Sequence, residues 1–375
     1  MRLPNTAADS EMHSTLQPDH NHPDTGLLMT FKTLLIPLFA AFMGSAHAAD
    51  PLTVRIGAPD QSAGPLPFIQ GSLGLAHIQQ QLEQALAADG VHVQWVFFKG
   101  AGPAVNEAFA NQQLDFAWLG DLAAIIGRAN GLHTRWLFGA RGANMYLAAR
   151  PGLQVNGLDD LKGKRIAVYR GTADQLSFAR LLASQHIQER DLQIVSLDWS
   201  AARAALVAGQ VDVNWSGSGI LALGSKGVTF PLSTKQLTPA ATTQAGLVGT
   251  QAFIDQHPQV TQHLVDVLVK NAAWLSDPQH LPEYSTLMAG QSNIPAQLFS
   301  KELQGDDLKF RQSPLADPFL RGSLQDSVEQ AKALGLVRRT FDAAGWLEPK
   351  FVGSAIEQQK LQGFWPEYDL NGKAL

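Results

Sequence analysis

One pattern is written twice along this chain. Ala110–Gly120 reads ANQQLDFAWLG and Val207–Gly217 reads VAGQVDVNWSG. At a constant offset, Leu114, Asp115, Phe116, Trp118 and Gly120 fall on Val211, Asp212, Val213, Trp215 and Gly217. Each copy follows an Ala-rich helical segment and, before it, a strand, Val93–Phe98 or Leu192–Leu197. Each of those strands follows a longer helix and an opening strand, Val54–Gly57 or Arg165–Val168. A β-α-β-α-β order written twice predicts two α/β units. Each presents loops at the carboxyl ends of its strands, where open α/β sheets bind ligands. Two such lobes facing one another enclose a cleft.

The loops at those ends carry the candidate chemistry. In RIAVYRGTAD (Arg165–Asp174), Ile166–Val168 is an apolar strand, Gly171 frees the backbone to turn, and Thr172 with Gln175 fits a capping box. Backbone N–H groups at such a turn, backed by the helix dipole, form an anion cradle without any charged side chain. The bland alternative is a turn that only caps its own helix. On the first unit, the polar turn Pro59–Gly64 holds Asp60, Gln61 and Ser62, and Asp121 after Gly120 suits an N-cap for Leu122–Ala129. Leu75, Ile78, Leu82 and Leu86 predict one helix ending at Gly90. His257-Pro258 opens a long helix with Val260, Leu264, Leu268 and Trp274 inward, stopped by Asp277-Pro278. Asp115 and Asp212 read as caps of the preceding turns. Trp118 reads as a core residue; Trp215 reads equally as core or as a ligand wall. Arg141, beside Gly142, is either a surface loop residue or a guanidinium fork for an oxyanion.

Composition narrows the class. With 375 residues, 45% of them hydrophobic and 16% charged, the chain is long enough for two domains and is not a disordered type. A net charge of −5 and the lack of any Lys/Arg run argue against a nucleic-acid partner. Met29–Asp50 reads as a targeting segment: Lys32 is the positive flank, Leu34–Met43 the short apolar run and Ala46-His47-Ala48 the cleavage site. Cleavage after Ala48 is expected. Residues 1–28 read as a disordered extension or a misplaced start, and His13, His20 and His22 within them as chance histidines. The sequence holds no Cys, hence no disulfide, no thiol nucleophile, no Cys-based zinc site and no lipid-anchoring Cys at the cleavage point. The expectation is a soluble exported protein, most simply periplasmic.

The ordered segments RIGAPDQ (Arg55–Gln61), LDFAWLGD (Leu114–Asp121), LDDLKGKRIAVYRGTADQ (Leu158–Gln175) and AALVAGQVDVNWSG (Ala204–Gly217) resemble the periplasmic binding proteins of ABC importers for taurine, aliphatic sulfonates and nitrate. The ending GFWPEYDLNGKAL (Gly363–Leu375) is similar to the sulfonate-binding branch. The resemblance runs from about Pro51 to the C-terminus. It implies an α/β, two-lobed periplasmic binding protein of type II, each lobe a mixed sheet flanked by helices. The lobes close on a small anionic ligand and deliver it to ABC permease subunits in the membrane. It also implies a monomer with no cofactor and no metal. Residues 49–149 and 246–375 are expected to form the first lobe and 150–245 the second.

Carried over residue by residue, the ligand loops are Gln61-Ser62 and Gly120-Asp121 on the first lobe. On the second they are Gly171-Thr172-Ala173-Asp174 and Trp215-Ser216. Arg141 is an added candidate, and Phe68 and Trp215 are candidates to cover the organic part. Asp174 either selects an amino group on the ligand or points away. The chain departs from the family after the second repeat, where Asn214-Trp215-Ser216-Gly217-Ser218-Gly219 replaces an aromatic–acid–Pro type of segment. A sulfonate stays charged at any periplasmic pH, so recognition calls for donors rather than a titrating partner. Two other classes compete. One is an enzyme on the same fold class; against it, the sequence shows no nucleophile elbow, HExxH, Walker loop or paired catalytic carboxylates. A transcriptional effector domain predicts an N-terminal helix-turn-helix, where this chain has an export signal.

Overall fold

A computed structural model describes residues 51–236 and 241–375. The expected targeting segment, cleavage site and N-terminal extension lie outside the described residues. Among the described residues, no helix is long and apolar enough to cross a membrane.

The chain runs β1 (Thr53–Pro59), α1 (Gly71–Ile78), α2 (Gln81–Leu86), β2 (His92–Phe98), α3 (Ala101–Ala110), β3 (Phe116–Gly120), α4 (Asp121–Ala129) and β4 (Thr134–Ala143). It then enters β5 (Met145–Ala149), β6 (Arg165–Ala167), α5 (Ala173–Ser184), β7 (Gln193–Val195), α6 (Trp199–Val207), β8 (Val213–Gly217), a 3-10 segment (Ser218–Lys226) and β9 (Thr229–Ser233). It returns through β10 (Thr243–Thr250) to α7 (Gln251–Gln256), α8 (Pro258–Leu275), α9 (Leu281–Ser292), α10 (Ala296–Leu303), α11 (Leu308–Gln312), α12 (Pro318–Ala333) and α13 (Lys350–Gln358).

Among the described residues two five-stranded sheets result, ordered β2-β1-β3-β10-β4 and β7-β6-β8-β5-β9. The orders are the same once corresponding strands are matched, as the written-twice pattern requires. Three parallel strands come first in each, then one antiparallel strand delivered by a crossing. Sheet one is covered on one face by α1, α8 and α13 and on the other by α3, α4 and α12, so its alternating apolar residues feed two cores. Ile166, Val213 and Trp215 feed one core of the second sheet, and Ala148 and Ala167 the other.

The first crossing differs from the sequence expectation. Met145–Ala149 was expected in the first lobe, but it pairs with β8 and β9 in the second sheet, so the chain crosses at Asn144. The return is also earlier, since Thr243 and Ala245 already pair with β4. A buried strand cannot be assigned to one of two sheets by its own apolar content; its partners decide. The expected single helix up to Gly90 is broken at Gln80, which is left-handed at φ 53°. Asn271 Nδ2 donates both to the Ser72 carbonyl and to Gln81 Oε1, pinning the two halves around the break. In α8 the inward residue at the end is Leu275, and Trp274 lies half-buried against His280. The C-terminal segments wrap the first lobe: α13 packs on α8, and the Phe319 amide donates to the Tyr368 carbonyl.

Candidate functional site

The carboxyl ends of the strands of both sheets face one cavity of about 210 Å³. The first lobe contributes Gln61, Phe68, Gln70, Gly71, Trp118 and Gly120. The second contributes Thr172, Ala173, Asp174, Trp199, Arg203 and Ser216 through Gly219. Arg141, Asn144 and Gln244 line it at the crossings, and Ile294, Leu298, Phe299 and Leu303 form an apolar end.

The lobes are closed on one another. A Cβ on Gly120 would lie 2.8 Å from the Cβ of Ala173, and one on Gly171 would lie 3.0 Å from Pro103 Cγ. Tyr169 Oη donates to the Lys99 carbonyl at 3.2 Å, and Arg203 Nη2 donates to the Ser62 carbonyl at 3.1 Å.

The donors come from helix starts and from Arg203. The opening amides of a helix have no partner inside it. The first turns of α1, α4, α5 and the 3-10 segment Ser218–Lys226 all open onto the cavity. That of α1 is partly spent, because the Gly71 amide donates to Tyr284 Oη at 2.9 Å. The Ser216 hydroxyl, in a residue 7% exposed, has no hydrogen-bond partner among the described residues. Among the described residues three cations line the cavity. Arg141 pairs with Asp317, and Arg311 with Glu302 and Asp306. Arg203 forms no ion pair among the described residues. Burial lowers its pKa, opposed by the charges of Asp198 and Asp60.

Of the residues expected from sequence, Gln61, Gly120, Thr172, Ala173, Asp174 and Ser216 line the cavity together, as does Phe68. The others do different work. Ser62 stays off the wall: its hydroxyl donates to the Gly64 carbonyl and its own carbonyl receives Arg203. Asp121 is fully buried, one residue inside the helix whose N-cap is Gly120. It accepts from the Leu122 amide and the Ser327 hydroxyl and lies 3.6 Å from Arg180 Nη1. Burial raises its pKa against the opposing charge of Arg180. Gly171, at φ +76°, makes the expected turn, but its amide donates to Gln175 Oε1 and so is not free for a ligand. The expected capping box does not form: the Thr172 side chain makes no cap bond, and Gln175 reaches back to the residue before the N-cap. The Thr172 hydroxyl donates to the Tyr169 carbonyl instead of to a guest. Trp215 is 0% exposed, and its Nε1 donates to Ser177 Oγ inside the second lobe. Arg141 borders the cavity, but its Nη1 donates to both Asp317 oxygens and its Nη2 to the Leu315 carbonyl, with Phe310 and Phe319 on its faces. Its guanidinium is held in a buried ion pair, with Nε left without a partner among the described residues.

The sequence reading missed several wall residues, Trp199 and Arg203 among them. Trp118 is packed in the core, as expected, and also borders the cavity. Trp199 and Arg203 sit four residues apart at the start of α6, which places both on one helix face. The i, i+4 spacing after a β7-type strand was the available signal. Trp199 Nε1 donates to Asp174 Oδ2 at 2.8 Å. Burial pushes the Asp174 carboxyl up to about 6; the Trp199 bond opposes this and the Asp121 charge adds to it.

Comparisons with known proteins bear on the family and the fold. The model of the NMT1/THI5-like family matches residues 86–280, more than half of the chain. A Bacillus subtilis (strain 168) protein named for binding aliphatic sulfonates is 28% identical over 83% of this chain and 90% of its own length. The solved structure of a periplasmic sulfonate-binding protein from Methylobacillus flagellatus KT is 29% identical, with a TM-score of 0.73, covering 85% of this chain and 98% of that one. An alkanesulfonate-binding protein from Xanthomonas axonopodis pv. citri shares the fold at 22% identity and a TM-score of 0.66, covering 80% of this chain and all 100% of that one.

Proposed function

Because the chain belongs to the NMT1/THI5-like family, we propose that it is the solute-binding component of an ABC importer. It binds a small organic anion, an alkanesulfonate or related sulfonate, between its lobes and delivers it to a membrane permease. The observation that carries this reading is Arg203, a cation in no ion pair among the described residues, in a cavity onto which helix starts from both lobes open. Each hydrogen bond to a charged group contributes about 1.5–3 kcal/mol. Three or four of them, with apolar cover from Phe68, Trp118 and Trp199, are enough for the roughly −8 kcal/mol of a micromolar complex. The relatives named for sulfonate binding support the choice of anion.

In this reading the chain is exported, loses Met29–Ala48, and works as a monomer in the periplasm. Its lobes meet at Asn144 and just before Thr243. It binds and releases its guest without chemistry.

A thermal-shift screen over alkanesulfonates, aryl sulfonates, taurine, nitrate and aromatic carboxylates tests the proposal. A ligand at a hundred times its Kd stabilises the folded state by about 2.7 kcal/mol, and the Tm rises accordingly. No shift with any oxyanion overturns it.

A further inference from the structure

Helix α1 takes its cap from far along the chain. Gln70, its N-cap residue, makes no side-chain cap bond. The Gly71 amide donates instead to Tyr284 Oη on α9, 213 positions away in sequence. A cap needs only an acceptor, and Ser, Thr, Asp or Asn supplies one locally. A phenol accepts and also carries a proton of its own. Among the described residues the Tyr284 hydroxyl receives the Gly71 amide and donates to no acceptor.

Tyr284 and Gly71 both line the cavity, so the bond between them lies at its wall. A Cβ built on Gly71 would meet nothing within 4 Å, which leaves open space beside that bond. The Tyr284 ring is held by packing. It is 4% exposed and meets Phe299 edge-on at 6.0 to 6.4 Å, the shorter figure being the contact of Phe299 with Phe68. Leu275 and Met288 complete the same cluster. The hydroxyl oxygen is therefore fixed in place at the wall. Burial pushes its pKa above the usual phenol range, opposed by the Gly71 bond, so the group keeps its proton. A buried donor without an acceptor is unfavourable, and an anionic guest supplies the acceptor. A hydroxyl that receives a helix-start amide is also polarised toward donating outward.

We infer that Tyr284 is a binding residue whose hydroxyl donates to an oxygen of the bound anion, passing the positive end of α1 on to the guest. The inference rests on the anion-site reading above and adds a donor that α1 does not present directly.

Calorimetric titration of the full chain with 1-propanesulfonate tests it. Tyr284→Phe keeps the ring and removes the hydroxyl. Its affinity is expected to fall about tenfold, the effect of one hydrogen bond to a charged group. A second variant separates a donor from a mere cap. With 3-fluorotyrosine in place of Tyr284, the hydroxyl is a stronger donor and a poorer acceptor at almost unchanged size. That protein is expected to bind propanesulfonate about two- to threefold more tightly than the parent. Unchanged affinity in Tyr284→Phe overturns the role of Tyr284 and leaves the anion site standing. Equal or weaker binding by the fluorinated protein does the same, since a hydroxyl that only caps Gly71 gains nothing from being more acidic. If the parent chain does not bind propanesulfonate, the sulfonate reading fails and this inference fails with it. The fluorinated protein decides the matter even if Tyr284→Phe folds poorly.

Discussion

Arg203 reaches across the cleft from the second lobe and donates to the carbonyl of Ser62 on the first, at 3.1 Å. One side chain thereby touches both lobes and borders the space between them. Arg203→Gln is expected to weaken sulfonate binding by about 10- to 100-fold, the worth of one or two charge-assisted hydrogen bonds. Arg203→Lys keeps the charge but not the fork, and recovers part of the loss. Titration calorimetry with an alkanesulfonate measures both.

Gly120 marks the closest approach of the lobes beside the cavity. Its backbone is extended, at φ −69° and ψ 155°, so a side chain is conformationally acceptable there. What it lacks is room, because Ala173 occupies the position a Cβ needs. Gly120→Val is expected to leave the Tm of the free protein within a few degrees of the parent and to hold the lobes apart. Small-angle scattering with and without ligand checks this: the parent contracts on binding and the variant does not.

Arg141 and Asp317 are both fully buried side chains. Removing one partner of such a pair leaves an uncompensated charge, at a cost of about 3–5 kcal/mol. Arg141→Met is expected to lose that much stability in urea unfolding. Ligand affinity in the folded fraction changes little. A large loss of affinity with stability intact would restore Arg141 to the ligand shell.

Asp174 gives a pH signature. Its folded-state pKa, about 6, lies above the unfolded carboxylate value, so the folded state holds the proton more tightly. Stability from this group is present below about pH 4 and declines as pH rises through 6. Two units correspond to about 3 kcal/mol at most. Asp174→Asn is therefore expected to raise the Tm of the ligand-free protein at pH 7.5 and to give no gain at pH 4. Calorimetric melts at the two pH values read the difference. A carboxylate kept at such a cost fits a binding role better than a packing role.

The lobed architecture was legible because it is local and repeated. The two repeat aspartates illustrate how far that legibility went. They were read as turn caps, yet each clasps an arginine on the opening strand of its own unit. Asp115 accepts from the amide and guanidinium of Arg55, and Asp212 does the same for Arg165. The Arg165 guanidinium holds the Asp212 carboxyl well below the usual carboxylate range. The equivalent positions of Arg55 and Arg165 were visible in the sequence, but their side-chain pairing was not. The loops bearing the site were equally legible, since strand ends and Gly turns announce them. What each side chain does there was not. Trp215 and Trp118 occupy matched places in the repeat and both are packed in a core, yet of the two Trp118 also borders the cavity. Arg141 was assigned by its charge, but Asp317, far along the chain, had already claimed it.

The pairing of Ala143 with Thr243 carries a consequence for how such a molecule can be cut. The second lobe is joined to the first at one rung, between two neighbouring strands of one antiparallel ladder. Excising residues 144–242 and bridging the stumps with a short turn would leave an ordinary β-hairpin in the remaining sheet, so the excised piece is a cassette on a scaffold that already contains its own closure.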